Sequence, residues 1–245
     1  RPQLSMPLDF LSVDPDTARY FTAWSALWIV CLVLPPGSKS IDTSYRLNFI
    51  HGVLSILFAS LALLDYLPSD NMATTCTLSY FTIDFVNILL NDFYFQVPSY
   101  QNPQNRKVEY AHHLFCLFVG LSSQGFHAEL CSLPSGRQPF LYLMYAETST
   151  PFLMAWRYFK SDILGGIFVL TFFLCRIVYH GCIFIPQCVL SCTGVVGYGF
   201  AIPYNLLNLY FFYMIMKKVL FPGKHDKKTK KGSDDEDDKD HMKTK

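Results

Sequence analysis

The stretch VEYAHHLFCLFVG, Val108 to Gly120, sets two adjacent histidines, His112 and His113, in a largely apolar segment. Glu147 follows in a second apolar segment further along the chain. An ionisable side chain inside a bilayer costs at least ~2.5 kcal/mol on insertion scales, so such residues are usually tied to function. The stretch therefore indicates a membrane protein with a polar intramembrane site.

The composition also indicates a membrane protein. Of the 245 residues, 51% are hydrophobic and 16% are charged, whereas charged residues make up about 25% of an average soluble domain. Much of the charge lies after Met216, so the preceding body is poorer still in charged residues. The net charge of +1 sums an apolar body and a mixed-charge tail, and it argues against a nucleic-acid partner.

Seven apolar stretches come close to the roughly 20 residues that a helix needs to cross a membrane. They are residues 20–34, 47–67, 73–95, 108–125, 139–158, 163–185 and 188–216. Pro151 lies in the middle of the fifth stretch, so we expect a bend or break near Glu147. Several glycines and Pro203 predict that the seventh helix is kinked or begins late. The predicted fold is an all-α bundle of about seven transmembrane helices.

Lysine and arginine in the connections predict the orientation of these spans. The connections after the first, third and fifth spans carry Lys39 and Arg46, Arg106 and Lys107, and Arg157 and Lys160. Those on the other side carry only Arg137. We therefore expect a non-cytosolic N-terminal segment at 1–19, a helical bundle at 20–217, and a disordered, charged cytosolic tail at 218–245.

The eight cysteines lie mostly within apolar segments and show no CxxC spacing. We therefore expect mainly free thiols that act as small apolar side chains. A lumenal disulfide that involves Cys131 is the alternative for that residue.

Five spans carry polar residues at helical spacing, which places them on common faces. These residues are Asn48, His51 and Ser55; Asp84, Asn87 and Asn91; Glu109, His113 and Cys116; Arg176 and His180; and Asn205 and Asn208. For His51, Asn205 and Asn208 we favour hydrogen bonds that hold the bundle together, at about 0.6 kcal/mol each. Asp84 and Arg176 suit a structural pair across the bundle and a ligand-binding role equally well.

His112, His113 and Glu147 favour function, because a histidine doublet beside a carboxylate supplies a general base and its orienting partner. An imidazole in this setting can deprotonate an amine or hydroxyl, or can itself accept an acyl group. Both reactions suit acyl transfer to a lipid. Metal chemistry is the rival, but two of the seven histidines lie in the tail, so too few ligands remain for a di-metal site and we predict no metal.

Several motifs follow one another along the body of the chain. They are the doublet in Tyr110-Ala-His-His113, the segment Ala146-Glu-Thr-Ser-Thr-Pro-Phe152 running on to Arg157, the intramembrane Asp84, and the spans with Arg176 and Asn208. Together, over roughly residues 41–218, they resemble the TLC-domain family, which groups ceramide synthases, translocon-associated membrane proteins and smaller TLC-domain proteins. The closest pattern is that of the small proteins, whose E-[LT]-S-x-P-F type segment is similar to Glu147–Phe152.

The resemblance implies a protein of the endoplasmic reticulum or another endomembrane, with the plasma membrane as an alternative. It also implies a core of six helices that begins and ends in the cytosol. In ceramide synthases the paired histidines are implicated in transferring an acyl chain from acyl-CoA to a sphingoid amine. The resemblance thus implies His112 and His113 as catalytic residues, to which the residue pattern adds Glu147, and it implies acyl-CoA as a co-substrate with no other cofactor.

One segment departs from ceramide synthases, whose HD-x-x-SD signature stands where this chain has Glu147-Thr-Ser-Thr150. Two hypotheses therefore stay open. The first is an acyltransferase of membrane lipid metabolism or homeostasis, with a cavity lined by Asp84, His112, His113, Glu147 and Arg176. In it, Asp84, Arg176 and Asn208 bind the lipid headgroup or hold the bundle together. The second is a non-catalytic lipid-binding, lipid-trafficking or membrane-organising protein.

Overall fold

The computed structural model describes residues 15–33, 40–95, 103–125, 133, 135–192 and 194–220. Its regular elements are all helices, which confirms the all-α prediction for this part of the chain. The first four helices are α1 (Pro15–Val33), α2 (Ser40–Leu63), α3 (Asp70–Leu89, extended by a π-helical turn at Leu90–Tyr94) and α4 (Pro103–Gly125). The predicted tail from residue 221 lies outside the described residues, as do residues 1–14.

The remaining helices are interrupted. Helix α5 joins Pro139–Leu143, a 3₁₀ segment at Met144–Ser149 and Thr150–Phe159. Helix α6 joins Asp162–Phe172, a π-helical segment at Phe173–Phe184 and Ile185–Ser191, and α7 is Gly194–Leu220. The chain divides into two units, Arg1–Asn205 and Leu206–Lys245, and the site described below lies in the first.

Three of these helices are long and apolar enough to cross a membrane: Tyr45–Leu63, Asp70–Tyr94 and Asp162–Ser191. They establish the chain as a membrane protein, while seven complete spans stay a prediction. Helix α3 is the most enclosed of the three. Within its apolar 18-residue stretch 61% is buried, against 33% in Tyr45–Leu63 and 28% in Asp162–Ser191. It therefore forms the centre of the first unit.

The break predicted in the fifth span is confirmed. Pro151 lies in the first turn of Thr150–Phe159, where its missing N–H is tolerated, and the 3₁₀ segment comes directly before it. The tighter turn of a 3₁₀ helix changes which way successive side chains point. Glu147 lies within that segment and is buried.

The seventh helix begins late, as predicted, and two helices extend beyond the predicted bundle. Helix α7 begins at Gly194 rather than Cys188, because α6 continues to Ser191 with Pro186 in the first turn of its last segment. A proline at that position does not end a helix, since its amide would be unpaired there anyway. Helix α1 begins at Pro15 rather than residue 20, and α7 ends at Leu220 rather than 217.

Two tryptophans attach α1 to the central helix. Trp24 Nε1 donates to the carbonyl oxygen of Met72 at 3.0 Å, and Trp28 Nε1 donates to that of Cys76 at 3.1 Å. Trp28 is 0% exposed, so a large apolar surface and a satisfied polar tip are buried together.

Ion pairs hold together the connections on the predicted lumenal side. Arg137, just before α5, bonds to Asp70 at the start of α3 through Nη1 at 2.7 Å, and it also pairs with Asp65. Asp65 follows α2 and adopts a left-handed conformation with φ 61°. These pairs join the start of α5 to the turn between α2 and α3.

Helices α2 and α5 come into close contact at Gly52. A Cβ atom at this position would lie 2.6 Å from Cδ of Pro151 and 3.3 Å from the carbonyl oxygen of Glu147. Small residues permit such close packing between helices in membranes. The identity of residue 52 therefore fixes how near α2 comes to the segment that carries Glu147.

We expect Gly52→Ala to lower the free energy of unfolding by about 1–3 kcal/mol, because the added methyl group overpacks this contact. Gly166→Ala is the matched control, since a Cβ atom there meets nothing within 4 Å. Thermal unfolding of both variants in lipid bicelles checks the prediction. Equal stabilities for the two variants would contradict the packing described here.

The expectation of mainly free thiols is confirmed for the part of the chain that the structure describes. Six cysteines there are free, namely Cys31, Cys76, Cys116, Cys175, Cys182 and Cys188. Cys192, between α6 and α7, is disulfide-bonded. Disulfides persist in oxidising compartments, and the orientation predicted from the charge pattern has this connection on the non-cytosolic side. Cys131, the predicted candidate for a lumenal bridge, lies outside the described residues.

Peptide mapping without reduction should recover Cys192 in a disulfide-linked peptide and the six free cysteines as alkylated thiols. The reason is that the connection after α6 faces an oxidising compartment in the predicted orientation. An alkylated Cys192 in protein from intact membranes would contradict this orientation. A map of reduced protein, in which Cys192 is alkylated, is the control.

Candidate functional site

Two clusters of buried polar side chains lie among helices α2 to α6. The Asp84 cluster consists of Asn48, Tyr80, Asp84 and His113. The Glu147 cluster consists of His51, Glu147, Thr150 and Arg176. Most of these side chains are nearly inaccessible to solvent, so their charges and hydrogen bonds must be satisfied within the protein.

His113 uses both of its ring nitrogens. Nε2 lies 2.9 Å from Oδ2 of Asp84, and Nδ1 lies 3.0 Å from the carbonyl oxygen of Glu109. A carbonyl oxygen only accepts, so Nδ1 carries a hydrogen and donates it. The Nε2–Oδ2 contact then holds one shared proton, and the pair is neutral overall wherever that proton resides. Neither ring nitrogen of His113 is open to a substrate in this arrangement.

Asp84 is less well satisfied than its partner. The Tyr80 hydroxyl lies 2.7 Å from Oδ1 of Asn48 and 3.3 Å from Oδ2 of Asp84. Oδ1 of Asp84 is buried without a hydrogen-bond partner among the described residues. A buried polar group left unsatisfied costs about 1–3 kcal/mol. The cluster is therefore not arranged for stability alone.

A further set of charges lies at the predicted cytosolic ends of α3 and α4. Arg106 pairs with Asp92 at 2.7 Å and with Glu109 at 3.1 Å, and the Tyr110 hydroxyl also bonds to Asp92. Asp92 lies in the π-helical turn that ends α3. Since Glu109 also accepts from His113 through its backbone, these charges help to hold the histidine doublet in register.

Glu147 is held on two sides. Its Oε1 lies 3.3 Å from Nη2 of Arg176, and its Oε2 accepts a hydrogen bond of 2.7 Å from the Thr150 hydroxyl. Arg176 also donates through Nε to the carbonyl oxygen of Ala146 at 2.9 Å. The guanidinium carbon lies 5.3 Å from the centre of the Phe172 ring, within cation–π range. Carboxylate and guanidinium thus offset much of each other's desolvation cost.

The π-helical segment of α6 positions its polar residues toward α5. Arg176 reaches the backbone of Ala146, and His180 Nε2 lies 3.0 Å from the carbonyl oxygen of Tyr142. Short π-helical insertions are often found at functional sites. Here the segment faces the interrupted part of α5, so two irregular helices meet at Glu147.

A small cavity lies between these helices. It offers about 30 Å³ of space for the centres of water molecules, which is enough for about two waters. Its polar lining consists of Thr77, His112, Glu147 and Arg176. The apolar lining consists mainly of Phe81, Phe115, Val119, Phe140, Leu143, Met144 and Tyr204, with Cys116 and Ala146 completing it. Cys116 Sγ lies 3.8 Å from each ring nitrogen of His112.

The structure brings three of the predicted site residues to this cavity: His112, Glu147 and Arg176. Arg176 pairs with Glu147. Asp84 and His113 are not among the cavity-lining residues, contrary to the predicted lining. The reason is that they bond to each other one helical step away from His112. Asn208 lies in the second unit.

His51 belongs to this site, although its sequence context predicted only hydrogen bonds that hold the bundle together. It is 1% exposed, and its Nδ1 lies 4.0 Å from Oε2 of Glu147. The spacing of Asn48, His51 and Ser55 showed a polar face but did not show that Glu147 would lie opposite. Thr77 and Thr150 were also missed, because isolated threonines in apolar helices carry no signal of their own.

Groups of three or more histidine, cysteine and acidic residues placed to hold a metal are absent from the described residues. The chain matches no protein-family model, and neither curated proteins nor solved structures show significant similarity to it. The arrangement of side chains at the site is therefore what indicates a function.

Removing either partner of the Asp84–His113 pair should cost about 3–5 kcal/mol of unfolding free energy, because the other is left buried without its partner. We expect Asp84→Ala and His113→Ala combined to cost at least about 1 kcal/mol less than the sum of the single changes. A double-mutant cycle by thermal unfolding measures this coupling. The exposed pair of Arg19 and Asp16, 3.2 Å apart, is the control and should couple by less than about 1 kcal/mol. Additive costs at Asp84 and His113 would contradict the pairing.

Proposed function

We propose that this chain is a multi-pass TLC-domain protein of membrane lipid metabolism that transfers an acyl group from acyl-CoA to a lipid acceptor. The proposal includes a six-helix core formed by α2 to α7 and a location in the endoplasmic reticulum or a related endomembrane. The observation that carries it is the meeting of an imidazole, a carboxylate and a guanidinium at one intramembrane cavity.

Polar side chains at an intramembrane cavity cost free energy, so they are usually retained for a function. His112, Glu147 and Arg176 come from three different helices, and each would be replaced at lower cost by an apolar side chain if only packing mattered. The surrounding lining is mainly aromatic and aliphatic. A site with a few convergent polar groups in an apolar pocket is typical of small-molecule binding.

His112 is the acyl-accepting residue in this proposal. A ring nitrogen of His112 attacks the thioester carbonyl carbon, the carbon–sulfur bond breaks, and the CoA sulfur leaves with the proton that the imidazole releases. The acceptor's oxygen or nitrogen then attacks the same carbon, and the imidazole leaves and regains a proton. The sum is acyl-CoA plus acceptor giving acylated lipid plus CoA. Arg176, with Glu147 beside it, would stabilise the oxyanion that develops at the carbonyl.

His113 has a different part, although it is the neighbouring residue. Both of its nitrogens are engaged, by Asp84 and by the backbone of Glu109. We therefore assign it to holding α4 against α3, which fixes the direction in which His112 points. The proposed catalytic set thus narrows from the doublet to His112 with Glu147 and Arg176.

The size of the cavity favours a second candidate, a non-catalytic lipid-binding, lipid-trafficking or membrane-organising protein. Space for about two waters does not admit an acyl chain. For acyl transfer, aromatic side chains such as Phe115 and Phe140 must move aside. If they stay in place, the polar groups serve only to pair helices.

Purified protein in lipid nanodiscs, incubated with labelled acyl-CoA, separates the two candidates. With acyl-CoA alone, intact mass spectrometry should show one acyl group added to wild type and none to His112→Ala. With sphingoid and glycerolipid acceptors, His112→Ala should lose at least about 10³-fold in turnover, as is typical of a lost catalytic nucleophile. Leu121→Ala, on the same helix and 61% exposed, is the matched control.

A His113→Ala variant tests whether His113 is needed for stability or for acylation. It should unfold at lower temperature than wild type, yet its folded fraction should still accept the acyl group at His112. Acylation and turnover that persist in His112→Ala would contradict the proposal. So would a wild-type protein that binds lipid but transfers no acyl group to any acceptor, which would favour the second candidate.

A further inference from the structure

A line of polar atoms, hydrogen-bonded except at one gap, connects two walls of the cavity behind its surface. Thr77 Oγ1 lies 2.8 Å from Ser55 Oγ, which lies 2.9 Å from Nε2 of His51. On the far side of the ring, Nδ1 lies 4.0 Å from Oε2 of Glu147. Both ends of the line, Thr77 and Glu147, line the cavity, whereas the two residues between them are buried away from it.

The ring of His51 is fixed in this orientation. It stacks on the ring of Tyr80, with 3.6 Å between centroids and 7° between planes, and the edge of Trp28 lies against it. Ser55 follows His51 by one helical turn on α2, so the contact between them is built into the helix. The nitrogen that faces Glu147 is therefore set by packing.

The hydrogen bonds along this line can run in two directions, and one direction is favoured. Arg176 pairs with Glu147, so a carboxylate faces Nδ1 of His51, and a hydrogen on Nδ1 points at it. Nε2 then accepts from the Ser55 hydroxyl, which accepts from Thr77. In the reverse arrangement the bare Nδ1 would face the carboxylate, and lone pairs would oppose each other.

We propose that Thr77, Ser55, His51 and Glu147 form a directed proton relay that takes the proton of the acyl acceptor at Thr77 and delivers it to Glu147. The catalytic use of the relay rests on the proposed acyl transfer. Thr77 touches the acceptor and is a catalytic residue. Ser55 and His51 act through their neighbours and are positioning residues.

Each member of the relay gains one proton and passes one on. The acceptor's proton moves to Thr77 as the acceptor's oxygen or nitrogen bonds to the acyl carbon on His112. Thr77 gives its proton to Ser55, Ser55 gives its own to Nε2 of His51, and Nδ1 gives its own to Glu147. Glu147 finally protonates the imidazole of His112 as its bond to the acyl carbon breaks. The charges of all four relay groups are restored, but the hydrogen of His51 has moved from Nδ1 to Nε2, so proton exchange with water in the opposite direction must restore the starting tautomer before the next turnover.

The last step spans 4.0 Å between Nδ1 and Oε2, about 1 Å longer than a hydrogen bond. Catalytic hydrogen bonds are often long in a site without substrate and shorten when it binds. Glu147 lies in the 3₁₀ segment of α5, beside the contact of Gly52 with Pro151. A small shift of that segment closes the gap.

The first test needs no activity. Protein with ¹⁵N-labelled histidine, in lipid bilayers, reports by solid-state NMR which ring nitrogen of His51 carries hydrogen, and His51→Asn identifies the signals. The relay requires hydrogen on Nδ1 and a bare Nε2. Hydrogen on Nε2 alone would overturn it, because Ser55 then has no proton acceptor in His51.

The second test uses Thr77, for which Thr77→Ser is a conservative variant. Thr77→Val keeps the shape but removes the hydroxyl, so His112 should still become acylated while transfer to the acceptor slows by about 10²-fold or more. Acyl-enzyme should therefore accumulate in intact mass spectra, with kcat/KM for acyl-CoA unchanged and KM for acyl-CoA lowered together with kcat. Thr77→Ser retains a hydroxyl and should restore transfer. A merely structural role for Thr77 would not trap the acyl-enzyme.

Ser55→Ala should behave like Thr77→Val, and Ser60→Ala is its matched control. Ser60 lies on the same helix and bonds to the Tyr145 hydroxyl at 2.9 Å, away from the relay. Wild-type transfer rates in Thr77→Val or Ser55→Ala would overturn the relay. If wild type itself neither acylates nor transfers, the proposed function fails, and the tautomer of His51 still decides whether the hydrogen-bond line runs as inferred.

Discussion

The pairing of Glu147 with Arg176 is the interaction on which the rest of the site depends. Neither charge could remain in the apolar interior alone, and each is about 90% buried as a side chain, with 11% and 9% exposed. Three local irregularities bring them together: the 3₁₀ segment in α5, the π-helical segment in α6, and the close contact at Gly52. Each irregularity weakens a regular helix, and together they place one ion pair at a cavity.

The second buried pair, Asp84 and His113, has a complementary role. It is neutral overall and engages both nitrogens of its histidine, so it holds helices while the adjacent His112 faces the cavity. The two histidines are therefore adjacent on α4 but lie in different environments. In the proposed mechanism these adjacent residues have separate structural and chemical tasks, which would explain why an apolar helix carries both.

Much of the fold follows from the sequence. The apolar stretches predicted the helices in order, and Pro151 predicted the break at Glu147, because both depend on local properties of the chain. The glycines of the seventh span predicted its late start, whereas the continuation of α6 past Pro186 was not predicted, since that proline lies in the first turn of a helical segment. The polar spacing on α4 did not reveal that His113 would bond to Asp84 and leave His112 at the cavity. The role of His51 was missed for a similar reason, as its proximity to Glu147 depends on how α2 and α5 pack.

The central claim is that the cavity beside His112 receives an acyl group. A cryo-electron microscopy map of the protein in lipid nanodiscs with a non-hydrolysable acyl-CoA analogue tests it most directly. The account predicts density for the acyl chain among displaced aromatic side chains, with the carbonyl position of the analogue beside His112 and Arg176. An unchanged, closed cavity with the analogue bound elsewhere or absent would contradict it.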